Sequence, residues 1–263
     1  MKDFHLSASI QRLKKYKPLI NELVMRDLKI KYRRSFLGYV WSLLNPLMMM
    51  AVMSVVFSYM FRFDVPNYPL YLICGQTLWT FFNESTSMAM TSVLDNGALI
   101  RKIYIPKYIF PIARVLSSFV TMSFSLVAIL IVMLVTRVPF TWNILLIPIP
   151  LALLLVFCMG VGMVLAALAV YFRDVLHLYG VVIMAWMYLT PVFYPISALP
   201  EKVAFFFRFN PLYHYLTFFR EVILYGTIPD WTIWAGSFGF SALVFTVGLL
   251  IFRKLQRDFI LYV

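Results

Sequence analysis

Charged side chains are scarce in this chain. They make up 13% of its 263 residues, about half of what a soluble domain carries, so an ordinary water-soluble globule is excluded. Disorder is excluded by the same shortage. Acidic residues are scarcest, 11 Asp and Glu against 23 Lys and Arg, for a net charge of +12. Cysteine is nearly absent: Cys74 and Cys158 both stand in apolar runs, which leaves no disulfide framework and no metal-ligand spacing. The histidines His5, His177 and His214 are scattered, and there is no H-E-x-x-H, no G-x-S-x-G and no cluster of paired carboxylates, so catalysis has no motif to stand on. Nor is there a G-x-x-x-x-G-K-[ST] run, the loop that cradles a nucleotide phosphate. If ATP drives this chain, hydrolysis is expected on a separate one.

What is abundant is hydrocarbon: 62% of the residues are hydrophobic and 18% aromatic. The expected fold is an all-α integral membrane protein. Six stretches, 36–61, 69–93, 109–135, 144–171, 177–194 and 232–252, approach the roughly 20 apolar residues that cross a bilayer, the fifth being the shortest. No ten-residue alternating segments suggest a barrel. Residues 1–35 hold no apolar core, so no signal peptide is expected and the first span serves as the insertion signal. With the N-terminus inside, the cytoplasmic pieces 1–35, 94–114, 172–176 and the tail 253–263 carry eighteen of the 23 basic residues. That asymmetry places both termini in the cytoplasm and accounts for the basic charge without nucleic acid. The chain thus divides into a cytoplasmic N-terminus (1–35), a membrane domain (36–252) and a cytoplasmic tail (253–263).

The segment 195–231 breaks the up-and-down rhythm, because Pro195, Pro200, Pro211 and Pro229 interrupt its apolar stretches and each disfavours a continuous helix. Two readings stand, a re-entrant helical hairpin dipping into the outer leaflet and an interfacial amphipathic loop. Residues 17–34 read as an amphipathic helix: Glu22, Arg26, Lys29 and Arg33 share one face, while Leu19, Ile20, Leu23, Val24 and Leu28 cover much of the rest. Asp27 and Lys31 interrupt that apolar side, spaced as a favourable pair. Such a helix either lies in the inner headgroup layer or is a plain surface helix.

The second span is unusually polar. Thr77, Thr80, Asn83, Glu84, Ser85, Thr86, Ser87, Thr91 and Ser92 are too many for a lipid-facing helix, and a carboxylate at that depth needs a partner, a proton or water. Thr80, Asn83, Glu84 and Ser87 are therefore candidate residues of a wet path; for Glu84 an inter-helix hydrogen bond is the competing role. Aromatics crowd the outer half. Tyr59, Trp79, Phe193, Tyr194 and Tyr213 are placed on the path as stacking surfaces, and an interfacial belt explains many such rings equally well. Cys158, Gly162 and Ala166 at four-residue spacing form a helix-packing face in the fourth span. In the loop 94–108, Asp95 or Asn96 caps a short helix holding Leu99, Ile100, Arg101, Lys102 and Ile103, which Pro106 stops. It is either a docking knob for a soluble partner or a connector.

Four stretches together carry a resemblance. RDLKIKYRRSFLGYVWSLLNPLMMM (26–50), GQTLWTFFNESTSMAMTSVLDNGALIRKIYIPKYIFPIARV (75–115), YFRDVLHLYGVVIMAWMYLTPVFYP (171–195) and FNPLYHYLTFFREVILYG (209–226) resemble, in that order, the membrane subunits of type-two ATP-binding-cassette exporters. The similarity is greatest to the branch exporting lipid-linked O-antigen, teichoic acid, capsule or rhamnose-rich polymers, and it spans roughly residues 20–260. It implies a homodimer of six-span permease subunits in the bacterial cytoplasmic membrane, with two nucleotide-binding subunits carrying ATP and Mg beneath it and no cofactor on this chain. It also implies that the N-terminal helix lies on the inner leaflet, that 95–105 is a coupling helix with Arg173 and Asp174 as a second cytoplasmic contact, and that 195–225 forms an outer gate. An exporter of a small hydrophobic compound or lipid is the rival within this architecture. A membrane-embedded transferase and a non-transporting scaffold are rivals outside it.

Overall fold

The computed structural model describes residues 6–33, 37–60, 65–103 and 105–262, with the side chains of 6–15, 32, 58–60, 260 and 261 outside the description. Its helices are α1 (Leu6–Tyr32), α2 (Trp41–Met60), α3 (Tyr68–Asp95), α4 (Gly97–Lys102), α5 (Ile109–Val135), α6 (Pro148–Tyr171), α7 (Val175–Tyr188), α8 (Glu201–Phe207), α9 (Pro211–Arg220), α10 (Trp231–Leu255) and α11 (Phe259–Tyr262). Proline stands in the first turn of α3, α6 and α9, where its missing N–H costs nothing because that position has no helical partner. Inside α2 the cost is met differently. Pro46 cannot bond the Ser42 carbonyl one turn back, and the Ser125 hydroxyl of α5 donates to that oxygen instead, at 3.0 Å.

Among the described residues, four helical stretches are long and apolar enough to cross a membrane: Gly38–Phe57, Ile109–Val135, Trp142–Tyr171 and Trp231–Leu255. The chain is an all-α multi-span membrane protein. Two expected spans look different from the other four. The one expected over 69–93 is α3, 28 residues long but outside that apolar set, since hydroxyls and amides dilute it. The one expected over 177–194 is α7, only 14 residues, about 21 Å at 1.5 Å per residue. It stops at Tyr188 because Pro191 follows and disfavours helix before it.

α3 and α6 form the buried centre. Phe82 packs between Phe157 and Trp186, with ring centroids at 5.9 and 5.1 Å. The packing face expected on the fourth span serves two neighbours: Gly162 of α6 lies against Ala89 of α3, and Gly160 against the backbone of Val244 and Phe245 in α10. A Cβ at Gly160 would fall 2.6 Å from that backbone, so only glycine lets α6 and α10 approach this closely. Ile20, Ile100, Phe252 and Phe259 belong to one buried cluster, so α1, α4 and the segment after α10 meet at one end of the bundle, the near end. The prolines of 195–231 delimit α8 and α9, and α9 runs on into a π-turn, Glu221–Tyr225. Asn210 accepts from Leu212 N at 3.1 Å, capping α9, and its amide donates to Leu189 O and Thr190 Oγ1, both at 2.9 Å. The start of α9 is thereby fixed to the end of α7, at the far end.

Candidate functional site

The polar residues of α3 divide between two faces. Ser85, Thr86 and Ser92 are fully buried and satisfy themselves: Ser85 and Thr86 donate to Phe82 O at 3.1 and 2.7 Å, and Ser92 to Ala89 O at 2.6 Å. Such bonds one turn back let a hydroxyl sit in a dry interior. Thr86 also pairs with Tyr179 Oη of α7 at 2.6 Å. Thr80, Asn83, Glu84, Ser87 and Thr91, in contrast, are half-buried or exposed, and their steps of three and four residues form one stripe along the helix. Glu84 Oε1 accepts from Lys31 Nζ of α1 at 2.6 Å and from Ser118 Oγ of α5 at 3.4 Å. Asn83 Oδ1 accepts from Ser87 Oγ at 3.3 Å.

Above Glu84 the stripe opens into a cleft of about 50 Å³ between α2, α3 and α5, lined by Asn45, Gln76, Thr77, Thr80, Ser118 and Thr121 among others. Gln76 Oε1 and Thr77 Oγ1 are buried there without a hydrogen-bond partner. A polar space of this size holds a few waters, which would satisfy both. A second cavity, about 390 Å³ between α6, α7 and α10, is lined by Val161, Leu165, Leu178, Val182, Trp186 and Val244 among others. Its chemistry suits hydrocarbon.

Among the described residues the aromatic candidates do not form one track. Trp79 is buried against Phe82, centroids 5.7 Å apart, and serves the core. Phe193 stacks on Phe57 at 5.7 Å and Tyr194 lies edge-on to Phe207 at 6.3 Å; their carbonyls accept from Tyr68 and Tyr71 at 2.6 and 2.8 Å. Tyr213 sits apart, edge-on to His214. The side chain of Tyr59 lies outside the described residues.

The 94–108 loop folds into α4 as its sequence suggests, but its residues point two ways. Arg101, Lys102 and Ile103 are exposed, as are Arg173 and Asp174 in the turn between α6 and α7. Leu99 is half-buried and Ile100 buried. Asn96 starts α4 through its carbonyl, which accepts from Leu99 N and Ile100 N at 3.0 Å. Its side chain turns inward, donating to Ser92 O at 2.7 Å and accepting from Arg26 Nη1 at 3.1 Å. Asp95 accepts from Thr91 and Arg114 at 2.9 and 3.1 Å. Lys107 donates to Gln256 O, tying the loop to the C-terminal segment; partial burial pushes its pKa down, opposed by Asp258. On α1, Arg26, Lys29 and Arg33 are exposed as expected. Asp27 and Lys31 face the bundle, Asp27 toward Arg114 and Lys31 toward Glu84.

Sequence reasoning passed over two arginines. Arg114 links Asp27 and Asp95. Arg220 is buried at the far end with its guanidinium donating to Pro191 O and Val192 O at 2.7 Å and to Tyr71 O at 3.1 Å. Its carbon lies 3.4 Å from the centre of the Tyr71 ring. The available signal was an arginine inside an apolar run, an arrangement that needs a buried partner.

With this geometry in place, residues 18–224 match the family model described as ABC-2 type transporter. The chain belongs to the ABC-2 type transporter family. It is 29% identical over 246 residues to the O-antigen export system permease protein RfbA of Klebsiella pneumoniae, covering 92% of this chain and 93% of that one. It is equally similar, 29% over 223 residues, to RfbA of Myxococcus xanthus, covering 84% of this chain and 86% of that one. The polysialic acid transport protein KpsM of Escherichia coli is 19% identical over 244 residues, 92% of this chain and 95% of that one. A member of this family is a transport chain rather than an enzyme. Among the described residues, no three His, Cys, Asp or Glu side chains gather as a metal site.

Proposed function

We propose that this ABC-2 chain is the permease subunit of an ATP-driven exporter that carries a lipid-linked cell-surface polysaccharide out across the cytoplasmic membrane. The observation that carries this reading is the end-to-end similarity to permeases named for O-antigen export. The stripe on α3 supports it physically. A hydroxyl-rich polymer loses many hydrogen bonds on entering hydrocarbon, and a path lined by Thr80, Asn83, Glu84 and Ser87 replaces them. In the working protein α2, α3, α5, α6, α7 and α10 are the six spans, α7 being short, and α8 with α9 forms the re-entrant hairpin that gates the outer side. Both termini face the cytoplasm, which agrees with α1 and the segment after α10 meeting α4 at one end of the bundle and with the basic asymmetry. α1 lies on the inner leaflet with Arg26, Lys29 and Arg33 among headgroups. Two copies assemble over two ATPase subunits that bind ATP and Mg, and Arg101, Lys102, Ile103, Arg173 and Asp174 present the cytoplasmic contact. Phe193 and Tyr194 stand at the outer end of the path.

One observation favours a second reading, export of a small hydrophobic compound or lipid: the apolar groove between α6, α7 and α10, open to the surface at Leu178 and Val182. Reconstitution of the permease with its ATPase in liposomes separates the two. The proposal expects ATP hydrolysis to rise several-fold with undecaprenyl-linked glycan and not with hydrophobic drugs; the reverse pattern overturns it.

A further inference from the structure

The near end holds a charge network for which a stack of helices has no structural need. Asp27 of α1 has only 2% of its side chain exposed, and a carboxylate in such a place is costly unless its oxygens are bonded. Oδ1 receives Arg114 Nη1 and Arg26 Nη2, both at 3.2 Å, and Oδ2 accepts from Ser117 at 3.2 Å. Arg114 then spans two segments, giving Nη1 to Asp27 and Nη2 to Asp95 at the foot of α3. Arg26 likewise holds Asp27 with one arm and Asn96, at the start of α4, with the other. The two arginines and two aspartates balance in charge. Their outer members are wet, with Arg26 42% and Asp95 44% exposed, while Asp27 at the hub is dry. Arg114 Nε is buried without a hydrogen-bond partner.

Buried ion pairs are poor providers of net stability, since apolar residues of similar volume often do as well. What this network supplies is a fixed register between α1, α5, which carries both Arg114 and Ser117, and the junction of α3 with α4 at Asp95 and Asn96. One turn beyond Asp27, on the same face of α1, Lys31 grips Glu84 on the polar stripe.

We propose that Asp27 is a positioning residue that makes α1 and α4 move as one body, so that a displacement of α4 by the ATPase reaches Glu84 through Lys31. The proposal rests on the reading of α4 as the docking loop. It goes beyond that reading by assigning α1 the role of lever and Asp27 that of its clamp.

The test uses the full complex with its ATPase in phosphatidylethanolamine–phosphatidylglycerol nanodiscs, with pairs of spin labels at exposed positions and Cys74 and Cys158 silent because both are buried. Labels replacing Ala98 on α4 and Ala152 on α6 report displacement of α4 on trapping with ATP and vanadate. Labels replacing Lys29 on α1 and Ala98 report whether α1 follows. The expected result is a shift of several ångströms for 98–152, no change for 29–98 in the otherwise native chain, and a nucleotide-dependent shift for 29–98 in Asp27→Asn. Should Asp27→Asn fail to accumulate, Asp95→Asn at the wet rim serves the same comparison. A 98–152 pair that stays still defeats the docking reading and the lever with it. A 98–152 shift accompanied by a 29–98 shift in the native background, or by none in the variant, overturns the lever alone. A merely structural role would lower yield without making the 29–98 distance depend on nucleotide.

Discussion

At the near end Arg114 lies between the carboxylates of Asp27 and Asp95; at the far end Arg220 lies among the carbonyls of Tyr71, Pro191 and Val192. Both positions solve the problem of a guanidinium removed from water, with different consequences. Carboxylates sit on side chains that rotate, exchange partners and can be deleted together with their arginine. Carbonyls belong to the backbone and go nowhere. At the far end α7 has broken off, and Arg220 holds the turn that follows it, at Pro191 and Val192, to α3 and α9. The near end is thus built to transmit a displacement and the far end to hold a shape.

Substitutions sharpen this contrast in a definite order. Arg220→Leu should be the most damaging, because three buried carbonyls lose a charged donor, Pro191 O keeping only the Tyr71 hydroxyl at 3.4 Å, at about 1–3 kcal/mol each; the melting temperature in detergent should fall by far more than for any other change here. No second-site partner swap should rescue it, since its partners are backbone. Asp27→Leu should cost about 2 kcal/mol by removing the charge-assisted bonds to Arg114, which keeps only Asp95, and adding Arg114→Leu should recover most of that loss. A double variant no better than the single would remove the distinction between the two ends. Gly160→Val should cost about 2 kcal/mol by overpacking the α6–α10 crossing, visible in the same melts. Tyr179→Phe should cost about 1 kcal/mol, the worth of the bond that its hydroxyl makes with Thr86, and leave transport intact.

Much of the inner architecture was legible because membrane helices announce themselves by length and apolarity. The charged face of α1, the short helix after Asn96 and the proline-delimited segments of 195–231 follow from local rules of spacing and capping. Helical arithmetic also separates Thr80, Glu84, Ser87 and Thr91 from Ser85, Thr86 and Ser92. What it cannot tell is which half is dry, because that depends on α6 and α7 packing against α3. The pairing of Asp27 was misplaced for the same reason. Spacing offered Lys31 as its local partner, whereas Arg114, 87 positions along the chain, approaches from α5. Trp79 was read as part of the path since a ring in an apolar helix looks the same from sequence whether it meets lipid, sugar or Phe82. Arg220 meets Tyr71 across 149 positions, a contact no window of sequence contains.

The account stands on the claim that the outer stripe of α3 meets water and passing polymer while the inner one stays dry. Single cysteines at Thr80, Ser87, Ser85 and Thr86 in the reconstituted exporter, treated with a membrane-impermeant thiol reagent, test it directly. Thr80→Cys and Ser87→Cys should react and be protected by undecaprenyl-linked glycan, with Ser85→Cys and Thr86→Cys unreactive throughout. Equal reactivity at all four positions, or none at Thr80→Cys and Ser87→Cys in any nucleotide state, would contradict it.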